Sequence, residues 1–256
     1  MSVKLSALII TFNEERNIRD CIESISGVAD EVIVLDSFSK DQTKEICQEY
    51  ELRFEQHNFD GHVEQKNRAV GLSSNDWVLS LDADERLSED LKESILSAKE
   101  NGFNGADGFS FNRKNFYAGK WIRYSDWYPD RKIRLWNRKC GSWQGVNPHD
   151  KVVLIETSTE KQLKGDLLHY TFASSSDHFK QAVKFGRIGG TMLQERNKIF
   201  LLFKWIFSPS YRFFKMFFLR LGFLDGWRGF SIAAITSYEV WLKYGIGLGL
   251  IKGGKR

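Results

Sequence analysis

Apolar runs and helically spaced apolar residues alternate along the first third of the chain. Residues 5–12 are almost wholly apolar, which predicts a buried strand. Asn13 is placed to cap a helix, Glu14 and Glu15 suit its dipole, and Gly27 is placed to end it. Between them Ile18, Cys21, Ile22 and Ile25 recur at i, i+3, i+4 and i+7, one helical stripe. Residues 31–35 predict a second strand that stops at Asp36. The loop 37–41 then leads into a helix carrying Ile46, Cys47 and Tyr50. Residues 52–57 predict a third strand, 63–72 a helix, and the apolar run from Trp77 a fourth strand that stops at Asp82. This rhythm predicts an α/β protein with a mostly parallel sheet flanked by helices.

The pattern is looser afterwards. A helix is expected from Ser88, with Leu91, Ile95 and Leu96 inward, ending near Gly102. Residues 108–113 and 132–136 predict strands, separated by an aromatic-rich excursion that includes Tyr117, Trp121 and Trp127. Aromatic faces suit the C–H face of a sugar, although plain packing is their commoner use. Residues 152–155 and 163–168 predict a hairpin around a polar turn, with His169 at its end. From 196 to 224, large apolar residues are broken only by Pro209 and by basic residues (Arg196, Lys198, Lys204, Arg212, Lys215, Arg220), with no acid in the interval. That predicts an amphipathic helix lying on an anionic membrane surface, or a helical hairpin packed on the protein. A last helix is expected over about 230–244.

Length and composition narrow the class. The chain has 256 residues, 27% charged and 14% aromatic, enough to bury a core and inconsistent with disorder. The net charge of +4 is modest. Its basic residues cluster with large apolar ones and no nucleic-acid motif appears, so no nucleic-acid partner is expected. Of the three cysteines, Cys21 and Cys47 fall on helix core faces, which predicts buried free thiols. The first apolar run is too short for a signal peptide, and no run reaches the roughly 18 apolar residues of a membrane span. A cytoplasmic protein is expected, with a peripheral membrane contact through 196–224.

Candidate chemistry gathers where strands end. Thr11 and Asn13, Asp36, and Asp82 with Asp84 all fall at the carboxyl ends of predicted parallel strands, where open α/β sheets bind ligands. An isolated Asp-x-Asp reads as a solvated acidic turn; at a shared strand edge it reads as a pair of hard oxygen ligands for Mg²⁺ or Mn²⁺. There is no Gly-x-Gly-x-x-Gly after the first strand and no Gly-Lys-Ser/Thr loop, so dinucleotide and P-loop chemistry lack their phosphate cradle.

Residues 6–15, the loop 36–43, Gln65-Lys66-Asn67-Arg68-Ala69 and Leu81-Asp82-Ala83-Asp84 together resemble the successive motifs of family 2 glycosyltransferases. The resemblance implies a GT-A (Rossmann-like) fold and inverting sugar transfer. It also implies that Thr11, Asn13, Glu14, Asp36, Gln65, Lys66 and Asp82 contact the nucleotide, and that Asp82 and Asp84 hold the metal. One departure stands out: Phe38 replaces the glycine two residues after Asp36, and glycine alone takes φ > 0 freely. The strand with Arg134-Leu135-Trp136, the Trp143-x-Gly145 turn and the His149-Asp150 pair resemble the subgroup of lipopolysaccharide inner-core β-1,4-glucosyltransferases, in which the acid is usually glutamate. GT-A folds often return a late histidine to the metal, and His169 is the candidate here.

The expected arrangement is a nucleotide-sugar-binding and catalytic domain over 1–170 and a helical, amphipathic extension over 171–256. The expected reaction moves a hexosyl group from a nucleotide sugar, UDP-linked by this reading, to a saccharide or glycolipid acceptor. Asp150 is the expected general base, preferred over Asp130 and Asp166 by its match to the resembled subgroup. A nucleotidyltransferase of similar sheet and metal logic, and a catalytically inactive sugar-binding module, are the alternatives.

Overall fold

The computed structural model describes residues 3–146 and 149–253. They fall into two compact units, one formed by 1–113 with 130–169 and the other by 114–129 with 170–256.

In the first unit the strands β1 (Leu5–Thr11), β2 (Glu31–Asp36), β3 (Arg53–Gln56) and β4 (Trp77–Asp82) alternate with helices α1 (Ile18–Ser24), α2 (Thr43–Cys47) and α3 (His62–Leu72). The pairs β1/β2, β2/β3 and β1/β4 are all parallel. Leu5, Ala7 and Ile9 of β1 pack on one face with Ile18, Cys21, Ile22 and Ile25 of α1. Leu8 packs on the other face with Ala69 of α3. Burial on both faces is why β1 reads as a continuous apolar run and not as an alternating one. Cys21 and Cys47 are buried free thiols.

The parallel block stops at β4. The strand β5 (Glu85–Leu87) and helix α4 (Glu89–Glu100) follow, then β6 (Gly108–Tyr117), β7 (Lys120–Trp121) and β8 (Asp130–Asn137). The strand β8 pairs antiparallel with both β4 and β6. The strand β9 (Gly141–Val146) pairs with β10 (His149–Leu154) as a separate two-stranded ribbon. Residues 163–168 do not pair with 152–155 as expected. They lie in β11 (Glu160–Phe172), which joins the main sheet in the order β3-β2-β1-β4-β8-β6-β11-β5. Trp143 and Val152 face each other across the ribbon and pack on Trp136 and Leu8, an apolar pairing closer in sequence than the expected one. Asn147 and Pro148 of the expected loop lie outside the described residues.

Helix α1 also starts later than expected. Asn13 takes φ 55° and Glu14 to Asn17 form a turn, so the cap position falls to Asn17.

In the second unit α5 (Ser175–Thr191), α6 (Lys198–Phe214) and α7 (Trp227–Leu248) follow β11, with a π-helical continuation of α6 over Lys215–Leu219. Gly186 and Gly190 let α5 approach α7 closely: a methyl at Gly190 would lie 2.7 Å from the Ile246 side chain. Leu201 is the buried side chain of α6, while Phe200, Phe203, Ile206, Phe207 and Tyr211 are all more than half exposed. Lys215 and Arg220 are not free as the sequence suggested, since both pair with Asp126, at 2.8 and 2.7 Å. No helix among the described residues is long and apolar enough to cross a membrane.

Candidate active site

The register of the parallel block brings its polar strand ends together. Thr11 stands beside Asp36, and Ile10 stands beside Asp82. The loops beyond β1 and β2 are tied to each other: the Ser39 hydroxyl accepts from the Asn13 amide at 2.8 Å, and Asn13 Oδ1 accepts from the Lys40 amide at 2.8 Å. Asp36 is fully buried, and its carboxylate accepts from the Ser39 amide and hydroxyl and from Gln56 Nε2. Phe38 between them takes φ 61°, the left-handed conformation a glycine would adopt, and keeps its ring exposed. The buried Thr11 Oγ1 and Gln65 Oε1 take no hydrogen bond from described residues.

The densest charge cluster lies at the end of β4. Lys66 of α3, only 4% exposed at its side chain, contacts Asp82 Oδ1 at 3.1 Å and Asp150 Oδ2 at 2.8 Å. Arg134 of β8, equally buried, contacts Asp82 at 3.2 Å and Glu85 at 2.7 Å. Both cations lie over the Trp143 ring, Lys66 Nζ at 4.3 Å and the Arg134 guanidinium at 4.9 Å from its centre. Trp143 is held there by Asn67, which bonds its carbonyl at 2.8 Å and its amide at 3.0 Å. A motif on α3 thus supplies one cation and fixes the aromatic platform for two. Lys66, Asp82, Arg134, Trp143 and Asp150 line a cavity of about 560 Å³.

Burial would raise the Asp82 carboxyl, but Lys66 and Arg134 outweigh it and hold the group well below the usual carboxylate range. Burial would likewise lower Arg134, and Glu85 and Asp82 reverse this and raise it. Burial pushes Glu14 up to about 6, with Asp84, Asp41 and Asp82 adding to the rise.

Asp84 turns to His169 near the end of β11, with Oδ2 and Nε2 3.1 Å apart. Among the described residues no three His, Cys, Asp or Glu side chains gather as ligands of one ion. The donor chemistry of Asp84, His169 and Asp82 fits a divalent cation, and buried Asp82 Oδ1 accepts no well-directed hydrogen bond.

The structure therefore brings Asp82, Lys66 and Asp150 into one cluster, pairs Asp84 with His169, and groups Thr11, Asn13, Asp36 and Gln65 at the ends of β1, β2 and α3. Glu85 was not singled out by sequence, and Arg134 and Trp143 served only as motif markers. An arginine between the apolar Ile133 and Leu135 and an acid three residues after Asp82 were the available signals.

Residues 6–154 match glycosyl transferase family 2, more than half of the chain. The chain belongs to that family. Relatives extend over nearly all of it: a glycosyltransferase of Rickettsia typhi is 30% identical over 94% of this chain and 85% of its own. The lipopolysaccharide core biosynthesis glycosyltransferase LpsC of Rhizobium meliloti is 26% identical over 94% of this chain and 93% of its own. Among solved structures, S. aureus TarS 1–349 aligns with a TM-score of 0.45 and 16% identity, covering 93% of this chain and 90% of that one. This family 2 glycosyltransferase has the GT-A architecture, its parallel block of strands extended by antiparallel ones. Glycosyl transfer, not nucleotidyl transfer, is its class of reaction.

Proposed function

We propose that this glycosyltransferase transfers a hexosyl group, with inversion, from a UDP-linked donor to a saccharide or lipid-linked saccharide such as the lipopolysaccharide core. The observation that carries the reading is the Asp82–Lys66–Asp150 chain of contacts in one cavity. It joins a carboxylate at the carboxyl edge of the parallel strands to a second one on another element, 84 residues away from Lys66. The likeness to LpsC supports the acceptor class.

In this scheme Thr11, Asn13, Glu14 and Gln65 contact the nucleoside. Asp36 acts through the loop it holds by Ser39 and Gln56. Asp150 takes the proton from the acceptor hydroxyl as its oxygen attacks the anomeric carbon, and the bond to the diphosphate breaks with its electron pair on the leaving oxygen. Lys66 places positive charge beside that departing group. A Mg²⁺ or Mn²⁺ ion held by Asp84, His169 and Asp82 would neutralise diphosphate charge.

The enzyme is proposed to work at the cytoplasmic face of a membrane. The exposed Phe200, Phe203, Ile206 and Phe207 on α6, with Lys204 among them, support this. A panel of UDP- and GDP-sugars tests the reaction. Release of UDP from one UDP-sugar, lost on adding EDTA, is expected; turnover of GDP-sugars alone, or turnover indifferent to EDTA, would overturn the donor or the metal.

A further inference from the structure

The cavity beside Asp150 has two zones of different character. Its floor holds Ser110, Arg134 and Trp143, each no more than 3% exposed. Ser110 Oγ, Arg134 Nε and Nη1, and Trp143 Nε1 find no hydrogen-bond acceptor among the described residues. A buried donor without an acceptor costs about 1–3 kcal/mol, so several in one cavity point to a ligand rich in acceptor oxygens.

The rim carries an excess of positive charge. Arg113 and Lys132 share Asp130, at 2.8 and 3.0 Å, and Arg113 also reaches the buried Glu85 at 3.8 Å. Arg131 is exposed and bonds the neutral Gln162 side chain. Lys151 is exposed and has no ion pair among the described residues. Four rim cations thus face Asp130 and Glu160, an excess of two. Below them Lys66 and Arg134 are outnumbered by Asp82, Glu85 and Asp150, a deficit of one.

We propose that this rim is an acceptor subsite selecting a sugar that bears an acidic group, phosphate or carboxylate, near the hydroxyl to be glycosylated. The inference rests on the proposed role of Asp150 and adds the acceptor's charge. A ligand with its acid at the cationic rim presents its neutral hydroxyl to the negative floor, where the base stands. The same field disfavours the reverse orientation. Arg131 and Lys151, without a carboxylate partner among the described residues, are the specificity residues, and the floor donors take the sugar's oxygens.

The test is calorimetric, on the full chain saturated with UDP, using glucose 6-phosphate, glucuronic acid and glucose as probes. The acidic sugars are expected to bind at least about tenfold tighter than glucose, roughly what two such charge contacts supply. The double substitution Arg131→Gln, Lys151→Gln should abolish the preference while leaving glucose binding and the thermal midpoint unchanged. The stronger of the two acidic probes then identifies phosphate or carboxylate as the group selected. Equal affinity for all three probes would overturn the proposal. So would inorganic phosphate binding as tightly as glucose 6-phosphate. Failure of every UDP-sugar to turn over is a separate result, read in the donor assay, and bears on the reaction and not on the rim.

Discussion

The Lys66 ammonium lies 2.8 Å from the Asp150 carboxylate, although α3 and β10 are far apart in sequence. The same nitrogen reaches Asp82, so one buried cation is shared by both carboxylates. Removing one partner of a buried ion pair costs about 3–5 kcal/mol, and the partial exposure of Asp82 reduces this. Lys66→Met should therefore destabilise the protein by about 2–4 kcal/mol and also lose turnover. Urea unfolding measures the first effect; a midpoint equal to wild type would show that the two carboxylates need no counter-charge from Lys66.

Asp150→Asn separates chemistry from binding. The amide cannot take a proton from the acceptor hydroxyl, so kcat should fall by at least about a hundredfold. Lys66 keeps its contact with Asp82, so donor affinity should hold. Near-normal turnover would move the base elsewhere. Asp130 would be the next candidate, although Arg113 and Lys132 already occupy its carboxylate.

Legibility in the sequence followed the range of the interactions. The strands β1, β2 and β4 were readable because each is buried and so appears as a short apolar run between helical stripes, whereas β3 is a half-exposed edge strand without such a run. Their polar ends were readable for the same reason, since Asp36 and Asp82 are where each run stops. The partner of β10 was not readable: an apolar strand such as 152–155 fits any open apolar edge, and Trp143 across the ribbon decides it. The Arg134–Glu85 pair was hidden because its members are 49 residues apart and each alone looks like surface charge. Phe38 is a different lesson. The sequence put its loop in doubt, yet φ 61° is held there by Ser39 and Gln56 anchoring Asp36.

Gly165 is required where β11 passes α4. Its φ is +98°, and a methyl there would lie 2.3 Å from the Leu91 amide nitrogen. The strained backbone and the overlap cost about 1–3 kcal/mol each. Gly165→Ala should therefore destabilise by at least about 2 kcal/mol by chemical denaturation. A change below about 0.5 kcal/mol would mean that α4 shifts freely away from β11.

Membrane attachment through α6 is tested by co-sedimentation with vesicles. Arg196, Lys204 and Arg212 have no ion pair among the described residues, whereas Lys215 and Arg220 are engaged by Asp126. Binding to anionic vesicles should exceed binding to neutral ones and weaken with salt, as about 1 kcal/mol per basic residue implies. Phe203→Asp with Phe207→Asp should abolish it. Equal binding to both vesicle types, or to neither, would favour a packed protein contact.

His178 gives the second unit a pH dependence of definite sign. The ring is buried, stacked on Phe172 at 4.8 Å between centroids and edge-on to Tyr117 and Trp127. Burial lowers its pKa to about 4. An unfolded chain takes up this proton near pH 6.5, while the folded chain refuses it until about pH 4. Stability from this group is thus complete above about pH 6.5, declines as pH falls through that window, and levels off below about 4, for a total near 3 kcal/mol. His178→Phe keeps an aromatic ring against Phe172 and removes the titration, at the cost of the 3.3 Å contact with the Tyr117 hydroxyl. The variant should lose less stability than wild type between pH 7 and pH 4.5, by about 2–3 kcal/mol. Urea midpoints across that range measure the difference, because every other titrating group contributes to both proteins alike. Parallel pH profiles would show that His178 already accepts its proton in the folded state, and that the pocket around it opens to water.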